Sequence, residues 1–467
     1  MGRTIFVAVS QEYIVQNIAR THGFESLDVE GEIPEAIRGT LFRTGPGIFE
    51  RFGQKVHHPF EADGVVSAVR FGADGARGAA RVVESKGYRT EEQAGRFMYN
   101  FSASLLDYLN AHITGEVKTT GNTATFMWQD RLFALMEAGK PQEIDPQTLD
   151  TLDDVDLGGV IKGAFSAHPH FVSSLNTYFN FGLRYGRKME VDLYALPLDG
   201  AASHLGSFEA PWATMVHDFA ATDEHLIFII APAKMVLWRA LTRIGGMSKL
   251  FRWEPQRGCQ LVRVPLAAPE QIERFELDAF WLWHTVNAYE TSNETIVDLC
   301  TYPEMKMDFL SADTDDVPTA HLERLVLSKD RVQRQRLWDM PCEFPIVPDV
   351  LHGRDYDRGF FHLNRSGQFG LGAYRLSTGE ERAWLCPTDH QPSEPIFVAG
   401  PDSPLEGWLL SLVADPQKNR SYLAILDTER IEDGPVARVW FDHQIPMTFH
   451  GCWMPEGDSP ASETRTA

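Results

Sequence analysis

The sequence predicts an all-β fold arranged as a β-propeller, and three observations carry that expectation. Short β-branched and aromatic runs recur along the chain, cut by Gly, Pro, Asn and Asp, at residues 131–136, 177–183, 191–196, 225–230, 259–264, 295–300, 359–363, 369–376, 408–413, 421–426 and 437–441. Runs of this length between turn formers read as strands. Few long helical periods lie between them, so the βαβ alternation of a doubly wound fold is missing. The chain is 467 residues long, with more such strands than one sandwich uses, and radial repetition lets that length close into one ring. No WD or kelch signature marks the blades, so the pattern itself leaves their number open.

Taken in order, the first apolar run, residues 5–9, is far too short for the core of a signal peptide. Residues 98–115 can form an amphipathic helix through Leu105, Leu106, Leu109 and Ile113. Residues 229–253 contain no Asp or Glu but do contain Lys234, Arg239, Arg243, Lys249 and Arg252 among apolar side chains. Two readings of that window stay open: a helical insertion over the β core, or a membrane- or micelle-facing entrance for an apolar substrate. Residues 456–467 lack large apolar side chains and are expected to be disordered. No stretch approaches 18 uncharged apolar residues, so no membrane span is expected.

Composition narrows the function classes. With 43% hydrophobic and 23% charged residues the profile is that of a soluble globular protein. Lys and Arg number 43 against 65 Asp and Glu, a net charge of −22, which repels phosphate backbones and argues against a nucleic-acid partner. Five scattered cysteines without CxxC spacing point to a reducing, cytoplasmic setting and away from a disulfide scaffold or thiolate zinc site.

The histidines carry the chemistry. His168, His217, His284 and His450 lie in or beside apolar runs, where an imidazole is costly unless it is hydrogen-bonded or binds a metal. His362 meets the same test, and His170 would share a strand face with His168. The spacings exclude a local motif, but inner strands of a propeller converge on its axis. Four neutral imidazoles suit iron, copper, nickel or zinc and not calcium or magnesium. Glu137, Glu343 and Glu394, each in an apolar strand-like setting, are candidates to accept the outer N–H of those imidazoles.

These residues sit in segments that resemble the carotenoid cleavage oxygenase family: RGTLFRTGPGIFE at 38–50, HPFEADGVVSAVRF at 58–71, NTATFMWQDRLFALMEAG at 122–139, SAHP at 166–169, VHDFAATDEHLIF at 216–228, WHTVNAYE at 283–290, CEFPIV at 342–347, EPIFV at 394–398, DGPVARVWF at 433–441 and FHGCWMP at 449–455. They span nearly the whole chain in the family's order. The resemblance implies a seven-bladed propeller over residues 1–455, with the 98–115 and 229–253 insertions forming a dome. It implies one Fe(II) on the axis, held by His168, His217, His284 and His450, with Glu137, Glu343 and Glu394 behind the ligands. Thr123 matches a threonine that crowds one open iron position, and the family match sets His362 aside and favours His168 over His170. The implied reaction uses O2 as co-substrate and cleaves a specific C=C bond into two carbonyl products.

The substrate is less defined. Stilbene and phenylpropanoid cleavers of the family place Lys where this chain has Met136, and an apolar Met makes no charge-assisted contact with a phenolate. That favours a long apolar substrate such as an apocarotenoid, although WHTVNAYE, RWEP at 252–255 and FHGCW look closer to the stilbene and phenylpropanoid branch. Tyr99, Phe60 and Phe165 are further candidates for the substrate wall. The alternatives are cleavage of a stilbenoid or phenylpropanoid, an iron-dependent isomerase or hydrolase on the same site, and a non-catalytic propeller scaffold.

Overall fold

Thr177–Tyr185 pairs residue for residue with Met189–Pro197, and the same antiparallel hairpin recurs where Arg358–Arg365 meets Gln368–Arg375 and where Gly407–Asp415 meets Arg420–Asp427. The middle strands are buried on both faces because neighbouring sheets stack on each, so they read as near-continuous apolar runs and not as alternation. The computed structural model describes residues 15–56, 58–307, 318–329 and 331–457. In it, seven sheets of four to six strands form a seven-bladed β-propeller, two short two-stranded ribbons aside.

Numbered by their innermost strands, the blades are one (Ala124–Trp128), two (His170–Val172), three (Ala220–Ala221), four (Trp281–Glu290), five (Cys342–Ile346), six (Ile396–Ala399) and seven (Gly451–Pro455). Blade seven is shared between the chain's two ends: Gly451–Pro455 pairs with Gly39–Ile48, Phe42 opposite Cys452. The N-terminal region also supplies Asp28–Gly31 to blade six, paired with Ala437–Trp440. The ring is therefore closed by two separate strand exchanges.

Among the described residues, three α-helices stand outside the blades: α1 (Lys86–Ala94), α2 (Leu105–Thr114) and α3 (Leu237–Thr242). Ser104 caps α2, its hydroxyl accepting from Asp107 N at 3.1 Å, and Gly115 ends it in the left-handed region. The helix expected across 98–115 is thus confined to its second half. Residues ahead of it turn, with Phe101 N donating to the Glu61 carboxylate at 2.8 Å. Helix α1 has no apolar periodicity that would announce it. The 229–253 window holds only the short α3, flanked by a ribbon of Ala233–Met235 with Phe251–Trp253. The Tyr108 hydroxyl donates to Ala240 O at 2.8 Å and joins α2 to α3. Of the tail expected to be disordered, residues 458–467 lie outside the described residues.

Beneath α1 lies a cluster of four buried charges. Arg51 Nη1 donates to Asp63 and Glu91, each at 2.9 Å, and Lys118 Nζ reaches the same two carboxylates at 2.6 and 2.7 Å. Both remaining Arg51 donors find partners in Glu92 and Tyr88 O, so the guanidinium is fully engaged.

Candidate metal centre

Every blade sends one ionisable side chain to the axis. His168 stands two residues before the inner strand of blade two, His217 shortly before that of blade three, His284 within that of blade four and His450 one residue before that of blade seven. Glu137 follows a strand of blade one, Glu343 lies on the inner strand of blade five, and Glu394 precedes that of blade six. Local irregularities aim them. The pairing of Trp281–Glu290 shifts register between Leu282 and Thr285, and that of Cys342–Ile346 shifts between Glu343 and Ile346. Such bulges redirect side chains next to functional sites. Phe344 sits inside the second one with φ of 47°, a conformation a bulky residue adopts only when its surroundings compel it. Its amide donates to Glu343 Oε2 at 2.6 Å and its ring lies 4.9 Å from that of His284.

The four imidazoles meet at one point, each offering a nitrogen within 4.8 Å of the others. His284 Nε2 is 3.4 Å from His217 Nε2 and 3.2 Å from His450 Nε2. Behind them, His284 Nδ1 contacts Glu343 Oε2 at 2.5 Å, His450 Nδ1 contacts Glu394 Oε1 at 2.8 Å, and His217 Nδ1 lies 2.8 Å from Glu137 Oε1, away from the line of a straight hydrogen bond. A carboxylate on Nδ1 places the ring proton there and leaves the Nε2 lone pair facing inward. Lone pairs then confront one another at 3.2–3.4 Å, an arrangement that a cation resolves. Nitrogens about 2.1 Å from a shared ion at right angles would stand about 3 Å apart. His168 Nε2 is buried without a hydrogen-bond partner, so the donor set fits a divalent first-row metal.

Burial, reinforced by the neighbouring imidazoles, pushes His168 and His450 well below their ordinary pKa and favours the neutral, ligating form. Burial acts the same way on His284, but the Glu343 carboxylate outweighs it and raises that imidazole. Burial also pushes Glu394 up to about 7, an effect that the buried Arg43 beside it opposes. Arg43 donates to Thr448 Oγ1 at 2.9 Å, Glu394 O at 3.0 Å and Phe449 O at 2.8 Å, bracing the segment that carries His450.

Two cavities meet at the histidines. The first is walled among the described residues mainly by Phe60, Trp281, Trp283, Tyr302, Phe344 and Phe449, with Thr123 and the inner faces of His217, His284 and His450 at its floor. It is almost wholly apolar, suited to an extended alkene. Glu304, Lys306 and Pro318 border it farther out. The second reaches His168, His284 and His450 from the other side and has a mixed lining that includes Thr125, His170, Asp218, Thr285, Asn287 and Glu394.

Phe60 lines the first cavity and Thr123 lies at its floor beside the histidines, whereas three other candidates line neither cavity. Phe165 is buried against Tyr194, ring centroids 5.9 Å apart, inside the core between blades. Met136 turns its thioether onto Thr120 N at 3.1 Å. Tyr99 lies beside Thr90 and Glu116 near α1. His170 is held by Asp218 at 2.7 Å and His362 is buried beside Phe344 and Phe369, so neither joins the four. Sequence reasoning missed Trp283, Tyr302, Phe449 and Asp218. Trp283 and Phe449 immediately precede ligand-position histidines, and strand alternation wrongly sends them to the opposite face.

Residues 16–455 match the family model described as retinal pigment epithelial membrane protein. The chain is 30% identical over 453 residues to the apocarotenoid-15,15'-oxygenase of a Synechocystis species, covering 91% of this chain and 92% of that one. It is 29% identical over 464 residues to the isoeugenol monooxygenase of Pseudomonas nitroreducens, covering 92% and 94%. Among solved structures, the cobalt-substituted Synechocystis apocarotenoid oxygenase superposes with a TM-score of 0.88 at 28% identity, over 96% of this chain and 99% of that one.

Proposed function

From the premise that this chain belongs to the retinal pigment epithelial membrane protein family, the carotenoid cleavage oxygenases, we propose that it is a non-haem Fe(II) dioxygenase cleaving one C=C bond of an apocarotenoid with O2, to give two carbonyl products. The observation that carries the reading is the convergence of four inward-facing imidazoles at the floor of an apolar aromatic cavity. His168, His217, His284 and His450 would hold the iron, which when bound supplies the redox chemistry that activates O2. The residues of the chain do the rest. Glu343 and Glu394 keep the Nδ1 protons of His284 and His450 in place and their rings oriented, and Glu137 stands 2.8 Å from His217 Nδ1. Thr123, its hydroxyl turned to Asn122 Oδ1 at 3.1 Å, presents a small side chain beside the histidines. Phe60, Trp283, Phe344 and Phe449 exclude water and fix which double bond lies at the floor, so regiochemistry follows from position.

A second substrate class is supported by the near-equal similarity to isoeugenol monooxygenase, together with the Tyr302 hydroxyl in an otherwise apolar wall. Burial and the Glu343 carboxylate keep that phenol protonated. Aerobic incubation of Fe(II)-loaded protein with apocarotenals and, separately, with isoeugenol-like and resveratrol-like compounds decides between the classes. Two carbonyl fragments are expected from the apocarotenal, their lengths naming the bond. Turnover of only the phenolic compounds would transfer the assignment to the second class, and failure to bind about one equivalent of iron would remove the dioxygenase reading altogether.

A membrane or micelle contact through 229–253 belongs to the same proposal. No helix among the described residues is long and apolar enough to cross a bilayer. Leu237, Trp238, Leu241 and Ile244 are each more than half exposed, and α2, held against α3, adds the exposed Leu106 and Ile113. Together with Arg239, whose guanidinium lies over the Trp238 ring at 5.2 Å, they make an apolar face with a basic group beside it, suited to lying on an anionic surface. The double variant Trp238→Ser, Leu241→Ser is expected to lower co-sedimentation with vesicles of phosphatidylcholine and phosphatidylglycerol by about tenfold, the effect of about 1.4 kcal/mol of lost burial. Unchanged sedimentation would remove this face from the proposal.

A further inference from the structure

One buried carboxylate joins the chain segments that carry three of the four imidazoles. Asp218 directly follows His217 and is 3% exposed. Its Oδ1 accepts from His170 Nε2 at 2.7 Å and from Phe219 N at 2.8 Å, and its Oδ2 accepts from Thr285 N at 2.7 Å and Thr285 Oγ1 at 2.9 Å. His170 is two residues from His168, and Thr285 is next to His284. One side chain therefore links the inner strands of blades two, three and four at the height of the histidines. The fourth imidazole, on blade seven, is tied separately through Arg43 and Glu394. No oxygen of Asp218 is hydrogen-bonded to any of the four, so its part differs from that of Glu137, Glu343 and Glu394.

We propose that Asp218 is a positioning residue of the metal centre, fixing the mutual spacing of His168, His217 and His284 through His170 and Thr285. Three nitrogen donors, with the Thr285 hydroxyl shared between Asp218 and Phe219 O at 2.8 Å, surround the two oxygens of this carboxylate. An amide has one acceptor and two donors, so Asp218→Asn sets an N–H against either the Thr285 pair or the Phe219 and His170 pair, and the segment must shift. A buried donor facing a donor is costly, and the displacement falls on the neighbouring histidines. The mixed lining of the second cavity, in which Asp218, His170 and Thr285 all stand, leaves room for that shift on one side.

The inference rests on the metal reading, and its test separates the two. In a crystal structure of metal-free Asp218→Asn, the His217–His284 Nε2 separation of 3.4 Å is expected to change while the His284–His450 contact of 3.2 Å, tied through blade seven, changes less. Imidazole positions identical to the parent overturn the proposal whether or not the protein binds iron. In solution, Asp218→Asn is expected to weaken Co(II) binding by about tenfold and to shift the visible ligand-field bands of the cobalt protein. Should Asp218→Asn fail to fold, Thr285→Val, which removes one hydroxyl donor and keeps the backbone bond, is expected to shift the same bands by a smaller amount. Bands and affinity unchanged in a folded variant reject the positioning role. A parent protein that binds no cobalt or iron would sink the metal reading and leave the crystallographic arm to decide this one.

Discussion

Replacing His284 by alanine is expected to abolish metal binding and alkene cleavage together. Its Nε2 is the hub of the cluster, within 3.4 Å of both His217 and His450, and its Nδ1 is gripped by Glu343. Alanine removes an inward-facing imidazole, leaves the Glu343 carboxylate without its His284 contact and the Phe344 ring without its neighbour, and opens the floor of the apolar cavity to water. Glu343→Gln is a graded counterpart. The amide oxygen can still accept from His284 Nδ1, and the loss is expected to stay within about 10–100-fold in metal affinity, with part of the activity kept. Anaerobic Fe(II) loading followed by metal analysis, with thermal unfolding of the metal-free proteins as control, reads both. Iron retained near one equivalent by His284→Ala, or complete loss in both variants alike, contradicts the roles assigned here.

The largest effect on stability is expected at Glu91. Its Oε2 takes donors from both Arg51 and Lys118, its Oε1 takes Met98 N at 2.9 Å, and its side chain is fully buried. Glu91→Ala leaves Asp63 as the one buried carboxylate facing two buried cations, with only the half-exposed Glu92 beside Arg51, and leaves a backbone N–H unpaired. Breaking such a buried pair costs about 3–5 kcal/mol, more than replacing the whole cluster by apolar residues would. Glu92, whose side chain is half exposed, also pairs with Arg51, yet Glu92→Ala is expected to cost under about 1 kcal/mol because solvent screens that contact. Urea denaturation of the two variants compares them directly. Equal midpoints would mean that the cluster is held by packing and not by its charges.

The propeller and its histidines were legible in the sequence for different reasons. Blade strands such as His225–Ile230 and Arg420–Asp427 are buried on both faces and announce themselves by continuous apolar runs. His168, His217, His284 and His450 stood out because imidazole in apolar surroundings demands an explanation, Glu137, Glu343 and Glu394 because a carboxylate there does too, while the family resemblance supplied the blade count. What stayed hidden depends on backbone geometry. A bulge places Trp283 beside His284 on one wall when alternation would separate them. Met136 and Phe165 have the right chemistry for a substrate wall, but both lie in connections outside the strands, where the backbone sends one to Thr120 and the other to Tyr194. Asp218 was overlooked because a carboxylate beside a histidine says nothing of the Thr285 donors, which lie far along the chain. Helix α1 is fixed by its Ser85 cap and its buried Glu91, neither of which leaves a periodic trace.

The strand that closes the ring also governs when the site comes into being. His450 stands one residue before Gly451–Pro455, the strand that zips onto Gly39–Ile48 across nearly the full length of the chain. A nascent polypeptide emerging from the ribosome displays His168, His217 and His284 long before the fourth imidazole has been made. The four-imidazole cluster is therefore complete only once Gly451–Pro455 has docked against Gly39–Ile48. A chain whose ring is unclosed offers at most three of the four nitrogens, and an ion held by all four would act as a bolt across the pairing that closes blade seven.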